Sequence, residues 1–280
     1  MNISIFTALI FSGSIIAGFL GSLTGLGGGV VVIPLLSIAF GVDIRYAIGA
    51  SLVSVIATSS GAAAAYVKEG FSNIRIGMFL EIATTIGALT GVFFALKLPV
   101  AVISIIFGIV LALSAYLSGF AKDEDTGKAG PDKLASALKM SGDYPTPHGS
   151  KKYSAANVPL GFGLMYAAGV VSGMLGIGSG AIKVLAMDRA MKLPFKVSTA
   201  TSNFMIGVTA AAGSGIYLNK GYIDPGLAMP VMLGVLLGSM TGARLLYGAK
   251  TKNLRLVFSI VIFMLALEMI FSGIKGGAIK

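Results

Sequence analysis

Ten apolar stretches divide the chain into two sets of five, and one long polar tract separates the sets. The first set covers residues 3–24, 30–40, 45–66, 74–97 and 100–120, and the second covers 156–175, 181–191, 196–218, 225–247 and 253–272. About 20 apolar residues in a helix span the hydrocarbon core of a bilayer, so the eight long stretches predict membrane-spanning helices. The two stretches of 11 residues are about 16 Å long in helical form and predict half-length helices.

The polar tract mixes both signs of charge with proline and glycine. Such a composition is typical of a solvated linker, and it leaves room for a short amphipathic helix around Lys133–Met140. The amino-terminal apolar run has no basic region before it and predicts a retained membrane segment rather than a signal peptide. We therefore predict a first transmembrane repeat over residues 1–120, a linker over 121–155 and a second repeat over 156–280.

The two sets align without a gap at an offset of 151 residues, with 17 identities over the 95 positions from 17 to 111. Glycines carry the clearest part of the match, because GLGGG at 25–29 and GIGSG at 176–180 share their first, third and fifth residues. A membrane protein with two repeats is the plan of a secondary transporter, in which the substrate binds between the repeats.

Basic residues distinguish parallel from inverted repeats, since lysine and arginine gather in cytoplasmic loops. The chain carries 21 of them and a formal charge of +10. If each glycine-rich break reverses the chain, the repeats are inverted and 15 basic residues lie on one face against 5 on the other, with Lys183 inside the membrane. If each broken pair crosses once, the repeats are parallel and the count is 11 against 9.

The charge distribution therefore favours inverted repeats. We predict an all-α integral membrane protein in which each repeat has a Gly-broken re-entrant helix hairpin plus three spanning helices. The linker is then cytoplasmic, and both termini lie outside.

Each glycine break follows a hydrophobic helix and opens a short one, so its backbone lies at membrane depth. Unwound backbone is tolerated there only where it is buried in protein or lines a cavity, and glycine lets a ligand approach the main chain closely. The short helix presents unpaired N–H groups and a positive dipole end, which favour an oxyanion. Close helix packing is the alternative role of such glycines. The candidate substrate-binding residues of the breaks are Gly25, Leu26, Gly27, Gly28, Gly29, Gly176, Ile177, Gly178, Ser179 and Gly180.

Lys183 lies three residues after Gly180, where the first repeat has Val32. A charged side chain costs about 2.5–3.5 kcal/mol at the centre of an inserted helix, so Lys183 needs a partner. A bound anion would make it a substrate-binding residue, whereas Glu81 or interfacial water would make its role structural. Glu81 and Glu268 are the acidic residues well within hydrophobic stretches, and either is a candidate for proton coupling.

Further polar side chains lie a turn or two into the helix that follows each short one. They are Ser51 in the first repeat and Thr201, Ser202 and Asn203 in the second. They can line the same cavity with donors that suit sulfite or sulfonate oxygens, or they can bond neighbouring helices to each other.

The remaining composition excludes several classes of protein. Of all residues, 55% are hydrophobic and 11% are charged, whereas soluble domains carry about 25% charged residues. The chain has no cysteine, one histidine and 11 acidic residues, five of them in the linker. No metal site, cofactor site or catalytic constellation of a membrane enzyme such as a lipid phosphatase can be assembled from these. The positive charge is assigned to cytoplasmic loops rather than to nucleic acid, and the shortage of carboxylates disfavours a cation carrier.

The motifs AGFLGSLTGLGGGVVVIPLL at 17–36, AGVVSGMLGIGSGAIKVLAM at 168–187 and ATSNF at 200–204 resemble those of the TauE/SafE family of sulfite and organosulfonate transporters. The likeness covers nearly the whole chain apart from the linker. It implies a transporter in a prokaryotic inner (plasma) membrane that carries small sulfur oxyanions and is driven by an ion gradient. It also places the substrate at the two breaks, with the ATSNF side chains nearby; the first-repeat counterpart, GASLV at 49–53, has no asparagine.

We therefore predict a secondary active transporter of sulfite, sulfoacetate or another organosulfonate, in the direction of export. It would work by alternating access around a midplane oxyanion site, with a proton or ion as its coupling partner. A passive anion channel and an uptake carrier for another small oxyanion, such as thiosulfate, are the alternatives. The sequence leaves the particular anion, the coupling ion and the oligomeric state open.

Overall fold

The computed structural model describes residues 3–24, 28–68, 70–119, 133–146, 149–246 and 251–275. In chain order the elements are α1 (Ile3–Thr24), α2 (Gly29–Pro34), α3 (Ile44–Lys68), α4 (Ile74–Lys97), α5 (Val100–Gly119), α6 (Lys133–Ala137), β1 (Ser141–Thr146), β2 (Gly149–Ser154), α7 (Val158–Leu175), α8 (Gly180–Leu185), α9 (Phe195–Asn219), α10 (Pro225–Leu246) and α11 (Thr251–Ile274). Helices α2 and α8 each continue into a π-helical turn, Leu35–Ala39 and Ala186–Ala190 respectively.

All ten apolar stretches form helices, and the helix ends lie within two residues of the predicted ones. The 151-residue offset relates the elements as well as the sequence. Helices α2 and α8, their π-helical turns, and helices α3 and α9 begin and end at equivalent positions. The equivalent sequences of the two halves therefore adopt equivalent local structure.

Apolar length and apolar exposure both suit a membrane environment. Three helices contain an apolar window of at least 18 residues, long enough to cross a bilayer: Ser4–Gly21, Ile74–Lys97 and Val158–Leu175. Within the residues searched, five further apolar helical segments of 10–17 residues accompany them. On the outer face of α4, Ile82 and Phe93 are more than half exposed. Such exposed apolar faces are rare on soluble monomers and fit a lipid boundary.

Helix pairing follows the repeat. Helix α1 packs against α10, and its equivalent α7 packs against α4, which is the equivalent of α10. Helix α3 packs against its own equivalent α9, and α5 packs against α11. Each of these contacts is therefore retained when the two halves are exchanged, which is the pairing that a two-fold relation produces.

The two equivalent pairs α1–α10 and α4–α7 are in contact through their backbones at glycines. A Cβ placed on Gly173 of α7 would overlap the backbone of Ala88 in α4, and one placed on Gly238 of α10 would overlap the backbone of Ile15 in α1. Small residues allow membrane helices to approach closely and gain van der Waals contact. These glycines therefore allow the two halves to pack in close contact.

The variant Gly173→Ala tests this packing. Overpacking costs about 1–3 kcal/mol, which exceeds the roughly 1 kcal/mol that alanine gains in a helix interior, so we expect a lower melting temperature in detergent. The matched control is Gly163→Ala in the same helix, where an added Cβ meets nothing within 4 Å. A Gly173→Ala protein as stable as the Gly163→Ala protein would contradict the close contact of α7 with α4.

The predicted linker contains more structure than its composition indicates. Besides the short helix α6, it forms an antiparallel hairpin in which Ser141 pairs with Ser154. Tyr144 and Tyr153 of the hairpin are buried in the same apolar cluster as Ile76 of α4. The tract therefore contains the short helix that the sequence allowed for and a hairpin that it did not indicate. Two tyrosines anchor the hairpin to α4, while most of the described side chains of residues 133–154 remain exposed.

Polar contacts fix the hairpin to the start of α4. Asn73 caps α4 by accepting a hydrogen bond from the Ile76 N–H at 3.0 Å, and its Nδ2 donates to the Tyr153 hydroxyl at 2.9 Å. Burial raises the pKa of Tyr153 above its usual range, so this hydroxyl stays protonated over the whole neutral range. The Arg75 guanidinium donates to the Lys139 carbonyl at 3.2 Å.

Candidate functional site

The two glycine breaks meet beside Ser51 of α3. The Ser51 hydroxyl donates a hydrogen bond to the Gly176 carbonyl at 2.8 Å. A Cβ placed on Gly29 would overlap Ser51 Oγ and would lie 3.3 Å from the Gly176 carbonyl oxygen. The start of α2, at Gly28 and Gly29, is therefore in direct contact with the second break. The other predicted residues of the first break lie outside the described residues: Gly25, Leu26 and Gly27.

The second break turns through left-handed backbone. The φ angle is 67° at Gly176, 71° at Gly178 and 46° at Ser179, and residues other than glycine adopt such angles only rarely. A Cβ placed on Gly178 would lie 2.6 Å from Cγ2 of Ile206, so the break also approaches α9 closely. Ser179 is 4% exposed, and its hydroxyl has no hydrogen-bond partner among the described residues. A buried hydroxyl without a protein partner is unusual and is available to a ligand.

Lys183, in the first turn of α8 after this break, is 0% exposed. Its Nζ donates to Thr209 Oγ1 of α9 at 2.5 Å, and the Thr209 hydroxyl donates to Glu81 Oε1 of α4 at 2.6 Å. The Thr85 hydroxyl also donates to Oε1, at 3.3 Å, whereas Glu81 Oε2 is buried without a partner. We call Lys183, Thr209 and Glu81 the charge bridge. Of the partners predicted for Lys183, the structure contains Glu81, reached through Thr209.

The charge bridge joins the two halves but has no symmetric counterpart. At the 151-residue offset, Val32 takes the place of Lys183 and Met232 takes the place of Glu81. The threonine alone is shared, as Thr58 in the first half. The two halves therefore have similar backbones around the breaks but different electrostatics.

The predicted ATSNF side chains separate into different contacts. Ser202 donates to the Gly180 carbonyl at the start of α8, at 3.3 Å. Thr201 Oγ1 accepts a hydrogen bond from the Asn73 N–H at 3.0 Å, which joins α9 to the loop before α4. Asn203 Nδ2 donates at 3.0 Å to a carbonyl one turn earlier in its own helix. Ser202 is thus the member of this set in direct contact with a predicted break residue.

Two further side chains differ from what the sequence indicates. Glu268 is exposed on the outer face of α11 beside Leu267, so it is not part of the charge bridge. Thr209 was not among the candidate residues, although its match with Thr58 in the repeat alignment marks it as a shared polar position within apolar helices. Within the part of the chain that is described, no three His, Cys, Asp or Glu residues converge as a metal site would require.

Apolar-faced helices that pair through glycines around a buried charge bridge define an α-helical membrane protein of the multi-pass class. The chain belongs to the family described as sulfite exporter TauE/SafE, whose model matches residues 10–269. The match includes both glycine breaks and every residue of the charge bridge.

Curated relatives extend over nearly the same length. The chain is 29% identical to the probable membrane transporter protein YunE of Bacillus subtilis, with 96% of this chain and 98% of the relative aligned. It is 28% identical to the probable membrane transporter protein YdhB of the same organism, over 84% and 87% of the two chains. No solved structure matches the chain significantly. The family and these relatives support a membrane transporter rather than an enzyme.

Proposed function

We propose that this chain is a secondary active transporter of small sulfur-containing anions, such as sulfite, sulfoacetate or another organosulfonate, and that it exports them. The observation that carries the proposal is the position of Lys183. Its ammonium group is wholly buried directly after the second glycine break. A positive charge is costly there without an anionic partner, and a substrate anion can take the place of Glu81 as that partner. The match to the sulfite exporter family supports the chemical class of the anion.

The proposed anion site lies where the two breaks meet. It comprises the break residues, Lys183, Ser51 and Ser202, with Thr201 and Asn203 next to it in α9. The unpartnered Ser179 hydroxyl and the Lys183 ammonium supply donors of the kind that sulfite and sulfonate oxygens accept. Sulfonate oxygens can also accept hydrogen bonds from backbone N–H groups exposed by unwound segments.

Inverted repeats are part of the proposal. Their relative direction can be judged from which end of α4 lies beside the start of each of the equivalent helices α3 and α9. Near the start of α3, the Arg45 guanidinium donates to the Leu98 carbonyl just beyond the end of α4, at 3.4 Å. Near the start of the equivalent helix α9, Thr201 accepts from Asn73 just before the beginning of α4. Equivalent helices thus adjoin opposite ends of one reference helix, which supports antiparallel halves. With the basic residues as counted, the linker is cytoplasmic and both termini are outside.

Alternating access follows from the burial of the site. Ser51, Ser179 and Lys183 are all buried, so an anion reaches them only after the halves move relative to each other. In two-repeat transporters such movement is rocking of one repeat against the other around a fixed site.

A thermal-shift screen of the purified protein tests the proposal. Ligand that binds the folded state raises its stability according to the ratio of ligand concentration to dissociation constant. We expect sulfite, sulfoacetate or another sulfonate to raise the melting temperature more than phosphate or chloride does. Thiosulfate as the best ligand would favour the alternative oxyanion, and no shift with any sulfur anion would contradict the proposal. Acceleration of labelled uptake by internal anion in proteoliposomes would then exclude a passive channel.

A further inference from the structure

In the charge bridge, the anionic partner of the Lys183 ammonium is a protein carboxylate. The proposed function places the substrate anion beside the same ammonium. Thr209 connects the two charges, because its oxygen accepts from Lys183 while its hydroxyl donates to Glu81. A hydroxyl has one proton to donate, and Thr209 has a second acceptor in the Met205 carbonyl at 2.9 Å. Thr209 can therefore release Glu81 and keep its own hydrogen bonding satisfied.

Glu81 is poised to change its charge. One carboxylate oxygen, Oε1, accepts hydrogen bonds from Thr209 and Thr85, whereas Oε2 is buried and has no donor within hydrogen-bond distance among the described residues. The Thr84 hydroxyl lies near the carboxylate and donates to backbone carbonyls. An ionised carboxylate that lacks a donor at one oxygen is incompletely stabilised in a buried site.

Within the described structure, the charged group that acts on Glu81 is Lys183, and the charged group that acts on Lys183 is Glu81. The packed elements also carry other titratable groups, and none of them is among the charges that act on Lys183 or Glu81. They are Arg75 and Lys97 at the ends of α4, Tyr116 in α5, Tyr144 and Tyr153 in the hairpin, Tyr166 in α7, Asp188 and Arg189 in the π-helical turn after α8, and Lys196 and Tyr217 in α9. Asp188 and Arg189 contact each other at 3.7 Å.

We propose that the Glu81 carboxylate is a tethered competitor of the substrate anion for Lys183, so that each anion binds together with one proton taken up by Glu81. This inference rests on the proposed function. Without substrate, one ammonium and one carboxylate give the site no net charge. With a monovalent anion on Lys183, the site stays neutral only if Glu81 accepts a proton from water. Two negative charges and one positive charge in this buried volume are strongly disfavoured.

With this coupling, the anion and proton gradients together set the direction of net anion transport. Anion and proton cross together in the same direction, and a monovalent anion crosses without net charge movement. Net export then occurs when the ratio of internal to external anion concentration exceeds the ratio of external to internal proton concentration. Net uptake occurs below that point, so the same protein serves either direction according to the gradients.

Proton counting on the unaltered protein tests the proposal directly. Isethionate is a suitable probe, because its sulfonate group does not itself titrate near neutral pH. We expect uptake of about one proton per bound isethionate in weakly buffered detergent solution, and a dissociation constant that rises by up to about tenfold per pH unit where free Glu81 is ionised. Binding without proton uptake would overturn this inference and leave the proposed function intact. Absence of isethionate, sulfite and sulfoacetate binding would contradict the proposed function itself.

Variants identify the group that takes up the proton. Glu81→Gln removes the competing charge and keeps the size of the side chain, so we expect isethionate binding as tight as in the unaltered protein or tighter, independent of pH and without proton uptake. Glu268→Gln, the matched change at an exposed membrane carboxylate, should retain both proton uptake and pH dependence. Proton uptake that persists in Glu81→Gln, or that disappears in Glu268→Gln, would overturn the assignment to Glu81.

Discussion

Replacement of Lys183 by methionine is expected to weaken sulfonate binding at least about 30-fold and to abolish transport. Methionine retains most of the apolar stem of lysine but removes the buried ammonium that the anion requires. Truncating one partner of a buried, hydrogen-bonded charge pair costs about 2–5 kcal/mol or more, and a loss of 1.4 kcal/mol is tenfold in affinity. Isothermal titration and proteoliposome counterflow measure the two effects.

Loss of stability accompanies the same substitution, and a second variant separates it from loss of binding. Lys183→Met leaves the Glu81 carboxylate buried without its positive partner, which costs about 3–5 kcal/mol. Adding Glu81→Gln removes that charge, so the double variant should regain a melting temperature near that of the unaltered protein but still fail to bind. Lys196→Met, at an exposed lysine of α9, is the control and should bind normally. Sulfonate binding by the stable double variant would reduce Lys183 to a structural role.

The second large effect is expected for Gly178→Ala in the second break. Alanine at its φ of 71° costs about 1 kcal/mol for the left-handed backbone, and its Cβ would lie 2.6 Å from Cγ2 of Ile206. Either the Ile206 side chain or the break must therefore shift, and a shift of the break moves α8 with Lys183. We expect the counterflow rate to fall more than tenfold, because displacements of about 1 Å at a site can cost about 100-fold in activity.

Gly221→Ala is the matched control for this change. Gly221 has a φ of 74°, so alanine meets the same backbone cost there, but its Cβ would meet nothing within 4 Å. We expect this variant to lose some stability and to transport at nearly the normal rate. Equal loss of transport in the two variants would mean that backbone strain alone, rather than the close approach to Ile206, explains the effect at Gly178.

The helices and breaks were predictable because their signals are local. Apolar length and glycine position along the chain are enough to place α2 and α8 and the left-handed residues before α8. Residues that face lipid are apolar, as are residues that face other helices, so both environments favour the same helical segments. The helix ends therefore differ from the predicted ones by two residues at most. The repeat offset then relates one half to the other without any knowledge of their packing.

The charge bridge and the hairpin were harder to predict because both depend on long-range contacts. Glu81 and Thr209 are 128 residues apart, and nothing in the local pattern of either helix indicates that they meet. The hairpin has a polar composition, and its strands are held by burial of Tyr144 and Tyr153 against α4. Tertiary packing of this kind overrides the composition of a segment, so the tract was predicted as a solvated linker.

A crystal structure of the protein with the sulfonate that gives the largest thermal shift is the most direct test of the account. We predict that the anion lies within hydrogen-bond distance, about 3 Å, of Lys183 Nζ and adjoins the second glycine break, with Thr209 no longer joining Lys183 to Glu81. An anion bound elsewhere, with the Lys183–Thr209–Glu81 contacts unchanged, would contradict both the site and its coupling to the carboxylate.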